Sequence, residues 1–458
     1  MTPLHHREGL LTVGELRSAA DTGSIHTVLL VLVDMQGRLQ GKRCGARYFL
    51  EEVLEHGAEA CNYLLAVDVE MNTVPGYPLT SWEQGYGDFE LVPDLSTLRR
   101  VPWQPGTALV FADLRAGSSE PVSVSPRQIL RRQRDRLAGR GWTALAGTEL
   151  EFIVYTDSYE QAWRAGYRDL TPANQYNLDY SILGTSRVEP LLRAITSGMT
   201  GAGLYLESAK GECNLGQQEI AFRYDEALVT ADNHALYKNG AKEIAAQQDC
   251  SLTFMAKVDE REGNSCHIHL SLRSVDSGAP VLADASGALS PTGEHFLAGQ
   301  LAALREFALL FAPNINSYKR FAPGSFAPTA VAWGRDNRTC ALRLVGRGPS
   351  LRVENRVPGG DVNPYLGLAG VIASGLHGIE AELPLEPPCP GNAYADPTLA
   401  TVPTTLREAL RLWESSTLAR DCFGADVVAH YANMARVELA AFDAAVTDWE
   451  KRRGFERL

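Results

Sequence analysis

Two short runs with strand periodicity carry charges that a folded chain cannot leave unbalanced. In Gly147-Thr148-Glu149-Leu150-Glu151-Phe152-Ile153-Val154-Tyr155 two glutamates alternate with a leucine, and in Cys266-His267-Ile268-His269-Leu270-Ser271-Leu272 two histidines repeat that spacing. Alternation with period two puts Glu149 and Glu151 on one face of a strand, and His267 and His269 on one face of another. Acids sharing a strand face repel each other and cost stability unless a cation lies among them. Gly211-Glu212-Cys213 with Gln218-Glu219-Ile220, and Arg352-Val353-Glu354-Asn355-Arg356, supply three more acids. Oxygen-rich donors with few nitrogens suit Mg²⁺ or Mn²⁺ better than zinc. Two clustered cations can bridge the phosphates of ATP, so metal-assisted phosphoryl chemistry is the expectation. For any single glutamate, a solvent-facing or capping role is the simpler account. For five glutamates and a histidine, several beside glycine and apolar residues, it is the weaker one.

Composition removes other classes. The net charge of −12 offers no basic face for nucleic acid or an anionic membrane. No apolar run approaches a membrane span, and the start, Met1-Thr2-Pro3-Leu4-His5-His6-Arg7-Glu8, lacks the apolar core of a signal peptide. The eight cysteines include no Cys-x-x-Cys pair, which suits reduced thiols in the cytoplasm. Cys266 invites a nucleophile reading, but a small apolar filler on the opposite strand face is the simpler one.

The 458 residues suffice for two domains. Early on, a β-branched run over 24–33, turn chemistry in Asp34-Met35-Gln36-Gly37-Arg38 and a returning run over 39–44 predict a hairpin. Residues 71–88, rich in Gly, Pro and aromatics, read as a long ordered, functional loop. A boundary is expected near Ala116-Gly117-Ser118-Ser119-Glu120. Beyond it, Ser125-Pro126-Arg127-Gln128 reads as a helix start with a capping box. From Gly141 onward the acid-bearing strands alternate with helices, such as 225–248 and 297–310. The tail, 405–420 and 426–450, reads as a peripheral helical bundle.

Arginines form a second constellation: Arg320 after Asn316-Ser317-Tyr318-Lys319, Arg335 and Arg338 before Arg343, and Arg352 and Arg356 around Glu354. Guanidinium forks bind carboxylates and phosphates at two points. A structural ion-pair ladder is the alternative, and it fits Arg335 best.

In this order these segments resemble the glutamine synthetase family over essentially the whole chain. The resemblance rests on Gly-Thr-Glu-x-Glu-Phe, Glu212 with Gly-Gln-Gln-Glu219, His-x-His, Asn-x-Asn-Ser-Tyr-Lys-Arg, Arg-x-Glu-x-Arg and Asn363-Pro364-Tyr365-Leu366. It implies an α+β fold: a small N-terminal β-grasp domain (1–120) and a larger catalytic α/β domain (121–458) binding ATP and glutamate. It also implies a dodecamer of two stacked hexameric rings, with each active site between subunits. By position, Glu151, Glu212 and Glu219 would hold one metal, and Glu149, His267 and Glu354 another. His269, Arg343 and Arg352 would contact the ATP phosphates, with Glu207, Tyr224 and Ser271 near the nucleotide. Gly263, Arg320 and Arg356 would hold L-glutamate, and Arg338, beside it, would stabilise charge during phosphoryl transfer. The implied reaction passes through γ-glutamyl phosphate, which a nitrogen nucleophile then attacks.

The departures from the family pattern concern that nucleophile. Ammonia-using relatives carry a glutamate where this chain has Phe326, in Pro323-Gly324-Ser325-Phe326-Ala327-Pro328. They also carry an aspartate in a loop of the adjacent subunit, where 73–80 here holds no acid. Losing both anions removes a trap for a small cation, and an aromatic ring offers apolar surface for carbon. An organic primary amine is therefore expected, with ethanolamine favoured on resemblance. Polyamine-, isopropylamine- and aniline-using relatives share the loss, and Glu83 or Asp88 could serve a diamine. Ammonia is the other alternative, and a non-catalytic binding protein is the reading from a different class. With Phe326 in place the base that deprotonates the amine is open, Glu212 and bulk water being candidates. Glu262 stands where ammonia-using relatives usually have asparagine. Tyr394 resembles a regulatory tyrosine of some relatives, though an ordinary surface tyrosine is the simpler account.

Overall fold

The computed structural model describes residues 8–117 and 120–458, so residues 1–7 and Ser118 and Ser119 of the expected boundary lie outside the described residues. The first hairpin forms as its pattern predicts: Thr27–Val33 pairs antiparallel with Leu39–Gly45, Val33 opposite Leu39. The buried Asp34 carboxylate organises its turn, accepting from the backbone N–H groups of Gln36 (3.0 Å) and Arg38 (2.8 Å) and from the Arg38 guanidinium (2.7 Å). The other edge of Thr27–Val33 runs parallel to Thr107–Ala116, which continues antiparallel to Asp88–Pro93 and then Ala58–Cys61. The result is a mixed seven-stranded sheet preceded by the helix Val13–Asp21.

This small sheet is tied to the rest by Asn363. Its amide donates to the carbonyls of Asp34 (3.2 Å) and Met35 (3.1 Å) at the hairpin tip, while its oxygen caps the helix Pro364–Glu380 by accepting from Tyr365 N–H (3.1 Å).

The second sheet has nine strands, ordered Trp333–Arg335, Leu342–Val345, Arg352–Asn355, Cys266–Ser274, Trp142–Tyr155, Gln217–Phe222 and Leu206–Gly211 along its main path. Alternating strands and helices would suggest parallel crossovers; instead the acid-bearing strands all pair antiparallel, and among the described residues of this sheet only the 333–335 and 342–345 pair is parallel. Helices cover one face. Pro364–Glu380, buried along most of its length, packs against Pro291–Ala303, Pro126–Ala138 and Ala227–Gln247. Leu150, Cys266, Ile268 and Leu270 point into that covered side at no more than 1% exposure, which leaves the alternate residues for the other face.

Three local expectations change. Ser125 precedes Pro126–Ala138 but makes no side-chain cap, so proline alone starts that helix and no capping box forms. The expected helix over 297–310 starts earlier, at Ser290, whose hydroxyl accepts from Gly293 N–H (3.0 Å), and breaks after Ala303 before Ala308–Phe311. The tail is more than peripheral: Trp413 is fully buried against Phe307 and Phe423, and Tyr431 donates to the Val124 carbonyl (2.9 Å). Among the described residues no helix is long and apolar enough to cross a membrane.

Candidate active site

Strand register builds the acidic cage. His267 stands opposite Glu149, Glu219 opposite Glu151, and Glu354 opposite both His269 and Arg343. Directly opposed side chains in an antiparallel pair stand about 5 Å apart at Cβ, so this pairing alone concentrates the ionisable groups. His267 Nδ1 lies 3.2 Å from Glu149 Oε2 and 3.6 Å from Glu354 Oε1, and His269 Nε2 lies 3.0 Å from Glu149 Oε1. Arg343 donates to Glu354 Oε2 (2.8 Å) and Arg356 to its other oxygen. Glu151 accepts from Ser265 N–H (2.7 Å) and the Gln217 amide (3.1 Å).

The donors suit hard divalent cations. Donor atoms of Glu151, Glu212 and Glu219 lie within 4.8 Å of one another, and so do those of Glu149, His269 and Glu354. His269 thus approaches the second group as closely as His267, which the family pattern assigns to the metal; His267 keeps a buried Nε2 with no hydrogen-bond partner. Burial would raise the Glu149 carboxyl, but hydrogen bonds from His267 and His269 hold it well below its ordinary value. Burial, then the charge of Glu149, pushes Glu219 up to about 8 despite Lys210. An acid kept neutral by burial and by neighbouring acids is what a cation between them would ionise.

That sets a pH dependence. The Glu219 carboxyl is raised in the folded chain, so between its ordinary 4.5 and about 8 the metal-free fold loses stability as pH rises. Mg²⁺ must displace that proton, and its affinity is expected to fall about tenfold per unit as pH drops below 8, with close to one proton released per cation bound. Calorimetric titration in buffers of different ionisation enthalpy checks both; an affinity flat from pH 6 to 8 contradicts them.

Two cavities meet at Glu149. One, of about 510 Å³, is lined by Glu207, Tyr224, His269, Ser271 and Arg352, which the sequence expects around ATP. Arg352 Nε donates to His269 Nδ1 (3.2 Å). Arg343 lies instead in the second cavity, of about 240 Å³, with the acids, Gly263, Phe326, Arg338 and Arg356. Only glycine fits at 263, where a Cβ would lie 2.2 Å from the Ala256 carbonyl oxygen.

Several residues stand elsewhere than expected. Arg320 does not reach the cavity: it is 1% exposed and donates to the carbonyls of Arg356 (3.0 Å), Val357 (2.8 Å) and Pro358 (2.6 Å), so it braces the segment carrying Arg356 from below. Arg335 donates to the Gly346 carbonyl (3.4 Å) rather than joining an ion-pair ladder; Asp336 pairs with Arg343. The acid-free loop does not line its own chain's cavity. Its Pro75 carbonyl accepts from Asn433 (3.0 Å), and the Tyr77 ring packs tilted against that of His430 at 4.7 Å, both partners on the helix Ala425–Ala444. Glu83 and Asp88 are exposed and line neither cavity. Tyr394 is half-buried, its hydroxyl donating to the Ala327 carbonyl (2.9 Å), so it braces the Phe326 turn instead of standing free. Cys266 is fully buried and its thiol is pushed up to about 12 by burial, as a filler should be.

Phe326 itself is 55% exposed and holds φ at +57°, an uncommon conformation for a bulky residue. Its carbonyl accepts from Arg356 (3.2 Å), so the turn is anchored where Phe326 lines the cavity. The sequence reading missed Lys210, Asp179 and Tyr180, which share that cavity. Lys210 was within reach, since period two places it with Glu212 on one face.

A family model described as glutamine synthetase, catalytic domain, matches residues 123–453. The gamma-glutamylethanolamide synthetase GlnA4 of Streptomyces coelicolor is 68% identical over 457 residues, covering 100% of this chain and 98% of that protein. The glutamate–isopropylamine ligase of a Pseudomonas species is 40% identical, covering 96% and 97%. Among solved structures, an ADP complex of GmaS superposes with a TM-score of 0.84 at 28% identity, over 96% of this chain and 99% of that one.

Proposed function

The chain belongs to the glutamine synthetase family, and from that premise we propose that it is an ATP-dependent ligase joining the γ-carboxyl of L-glutamate to an organic primary amine, ethanolamine by preference. One observation carries the reading: a complete acid, histidine and arginine cage shares its cavity with Phe326, where an ammonia enzyme of the family would present a carboxylate. The similarity to a gamma-glutamylethanolamide synthetase and to an isopropylamine ligase supports the choice of amine.

In this reading Glu151, Glu212 and Glu219 would hold one divalent cation and Glu149, Glu354 and His267, with His269 alongside, another; bound there, Mg²⁺ or Mn²⁺ would neutralise phosphate charge. Glu207, Tyr224, Ser271 and Arg352 seat the nucleotide. Arg356 and Gly263 hold glutamate, and Arg320 acts as a positioning residue beneath them. The γ-carboxylate oxygen attacks the γ-phosphorus of ATP and ADP leaves, while Arg338 and Arg343 meet the charge spread over the transferring group. The amine nitrogen then attacks the acyl carbon, phosphate departs, and the amine's proton passes to solvent or to Glu212. The acid-free loop, turned away from its own chain's cavity, would border a neighbour's, in keeping with a ring-shaped homo-oligomer, two hexamers in the family's manner. A cytoplasmic enzyme divided near residue 120 completes the proposal.

The test is ADP release with Mg²⁺, ATP and glutamate across ethanolamine, isopropylamine, putrescine, aniline and ammonium. Ethanolamine is expected to give the highest kcat/KM. Ammonium as the best substrate sinks the reading of Phe326, and no turnover with any nucleophile sinks the ligase. Phe326→Glu is expected to improve ammonium relative to ethanolamine by about tenfold or more, since it returns an anion and removes an apolar contact.

A further inference from the structure

We propose that Lys210 and Asp179 together read the far end of the amine, accepting an uncharged hydroxyl and rejecting a second ammonium. This rests on the amine-ligase reading above and extends it to substrate selection.

The two side chains come from segments pressed against each other. The strand Leu206–Gly211 ends beside the turn over 177–181: Tyr180 N–H donates to the Gly211 carbonyl (3.2 Å), and a Cβ at Gly211 would lie 2.6 Å from the Leu178 carbonyl oxygen. Only glycine permits that approach. Asp179 N–H is fixed in turn by the Asn177 side chain (2.8 Å), and Tyr180 takes φ +56°. This backbone junction stands immediately before Glu212, and Asp179 and Lys210 line the same cavity as Phe326.

The charges there have opposite sign. Donor atoms of Asp179, Glu212 and Cys213 lie within 4.8 Å of one another. The Lys210 ammonium is bonded to Glu212, lies 3.6 Å from Glu219 and sits 4.9 Å from the centre of the Tyr180 ring. The ammonium of Lys210, held between carboxylates and an aromatic face, is chemically the same group as the incoming amine. Cations bound to Glu212 and Glu219 would repel the lysine toward the Tyr180 side, where its tether keeps it in the cavity. A hydroxyl can accept from Lys210 and donate to Asp179. A methyl leaves both unpaired, and a second ammonium meets like charge. The acid that the 73–80 loop lacks is thus present on another element, but matched with a base.

The experiment compares kcat/KM of the full chain for ethanolamine, n-propylamine and ethylenediamine, which share length and differ in one terminal group. The wild type is expected to prefer ethanolamine over both by on the order of tenfold to a hundredfold. In Lys210→Met the penalty on ethylenediamine relative to ethanolamine falls about tenfold, and in Lys210→Arg it stays. In Asp179→Asn the advantage over propylamine falls about tenfold, carried by KM for the amine. Selectivity ratios within twofold of wild type in both Lys210→Met and Asp179→Asn overturn the inference. If Asp179→Asn shifts the Mg²⁺ dependence and leaves the amine ratios alone, Asp179 belongs to a further cation site and the inference also fails. Ratios cancel losses of folded protein, and the Mg²⁺-ATP shift in Tm verifies that each variant is folded. No turnover by the wild type with any amine is a failure of the ligase reading; turnover with unmoved ratios is a failure of this inference only.

Discussion

Glu354→Gln is expected to leave a folded protein whose glutamate-dependent ADP formation is lower by about 10³-fold or more, a loss of at least ~4 kcal/mol in transition-state stabilisation. Glu354 has no exposed surface and is the point where the arrangement converges. Arg343 and Arg356 hold one oxygen each, His267 lies 3.6 Å away, and the strand register sets it opposite His269. Burial would raise its carboxyl, and the charges of His267, His269 and Arg356 hold it below the ordinary value, so it stays anionic. The amide keeps the shape and one acceptor but loses the charge that a cation needs. Glu354→Ala removes the acceptor as well and leaves the buried Arg356 without its carboxylate, while Arg343 keeps Asp336, so it is expected to cost about 3 kcal/mol of stability on top of the activity. Comparing the two variants by ADP assay and by the Mg²⁺-induced rise in Tm separates chemistry from folding. Glu354→Gln with activity within tenfold of wild type, or with an undiminished Mg²⁺ shift, would remove Glu354 from the cation site.

What the sequence made legible follows from where its signals are local. Alternation in 147–155 and 266–272 determined which side chains share a face, and the register of the folded sheet made those faces meet. The turn at Asp34–Arg38 was readable because its chemistry lies within five residues. Long-range outcomes were not. Nothing local in Arg320 distinguishes a side chain that grips a ligand from one that braces three carbonyls beneath it. The loop over 71–88 announces function by composition, but composition cannot say that it anchors to Ala425–Ala444 rather than to its own chain's cavity. Asp179 was invisible because it comes from a turn whose place beside Glu212 depends on one glycine contact. The one-helix expectation for 297–310 failed for a different reason: Leu304 and Phe307 keep the helical spacing of apolar residues through the break at 304–307, so periodicity alone carried no stop signal.

Arg127→Ala is expected to destabilise the whole molecule by about 3–5 kcal/mol, several times what a surface ion pair contributes. Its side chain is 3% exposed and joins three elements. It grips Asp232 of the helix Ala227–Gln247 at two points (3.0 and 2.9 Å), and reaches Asp113 (2.5 Å) and Asp94 (2.8 Å) beside the small sheet. Asp232 also accepts from the buried Tyr365 hydroxyl (2.6 Å), so the helix carrying Asn363 at its cap depends on the same carboxylate. Without the guanidinium, the 2%-exposed Asp232 becomes a buried charge with one neutral donor. Asp94 retains Arg131 (2.7 Å) and contributes less to the loss. Asp232→Asn alone should also destabilise, while Arg127→Met with Asp232→Asn should recover part of the loss, because the pair interacts and neither charge is then stranded. Acid adds an independent reading. Burial would raise Asp94, but hydrogen bonds from Ser96 and Arg127 and the charges of Arg127 and Arg131 hold it at about 2 against an ordinary 3.8. A depressed folded value means that its contribution is fully present above about pH 4 and is lost as pH falls from there through 2. In Arg127→Ala Asp94 keeps Ser96 and Arg131, so part of that depression remains; with less stability in reserve, the acid-unfolding midpoint should still move upward along with the fall in urea midpoint. A loss under about 1 kcal/mol with an unmoved acid midpoint would show that the hub is solvated like a surface pair and that the two sheets are held together elsewhere.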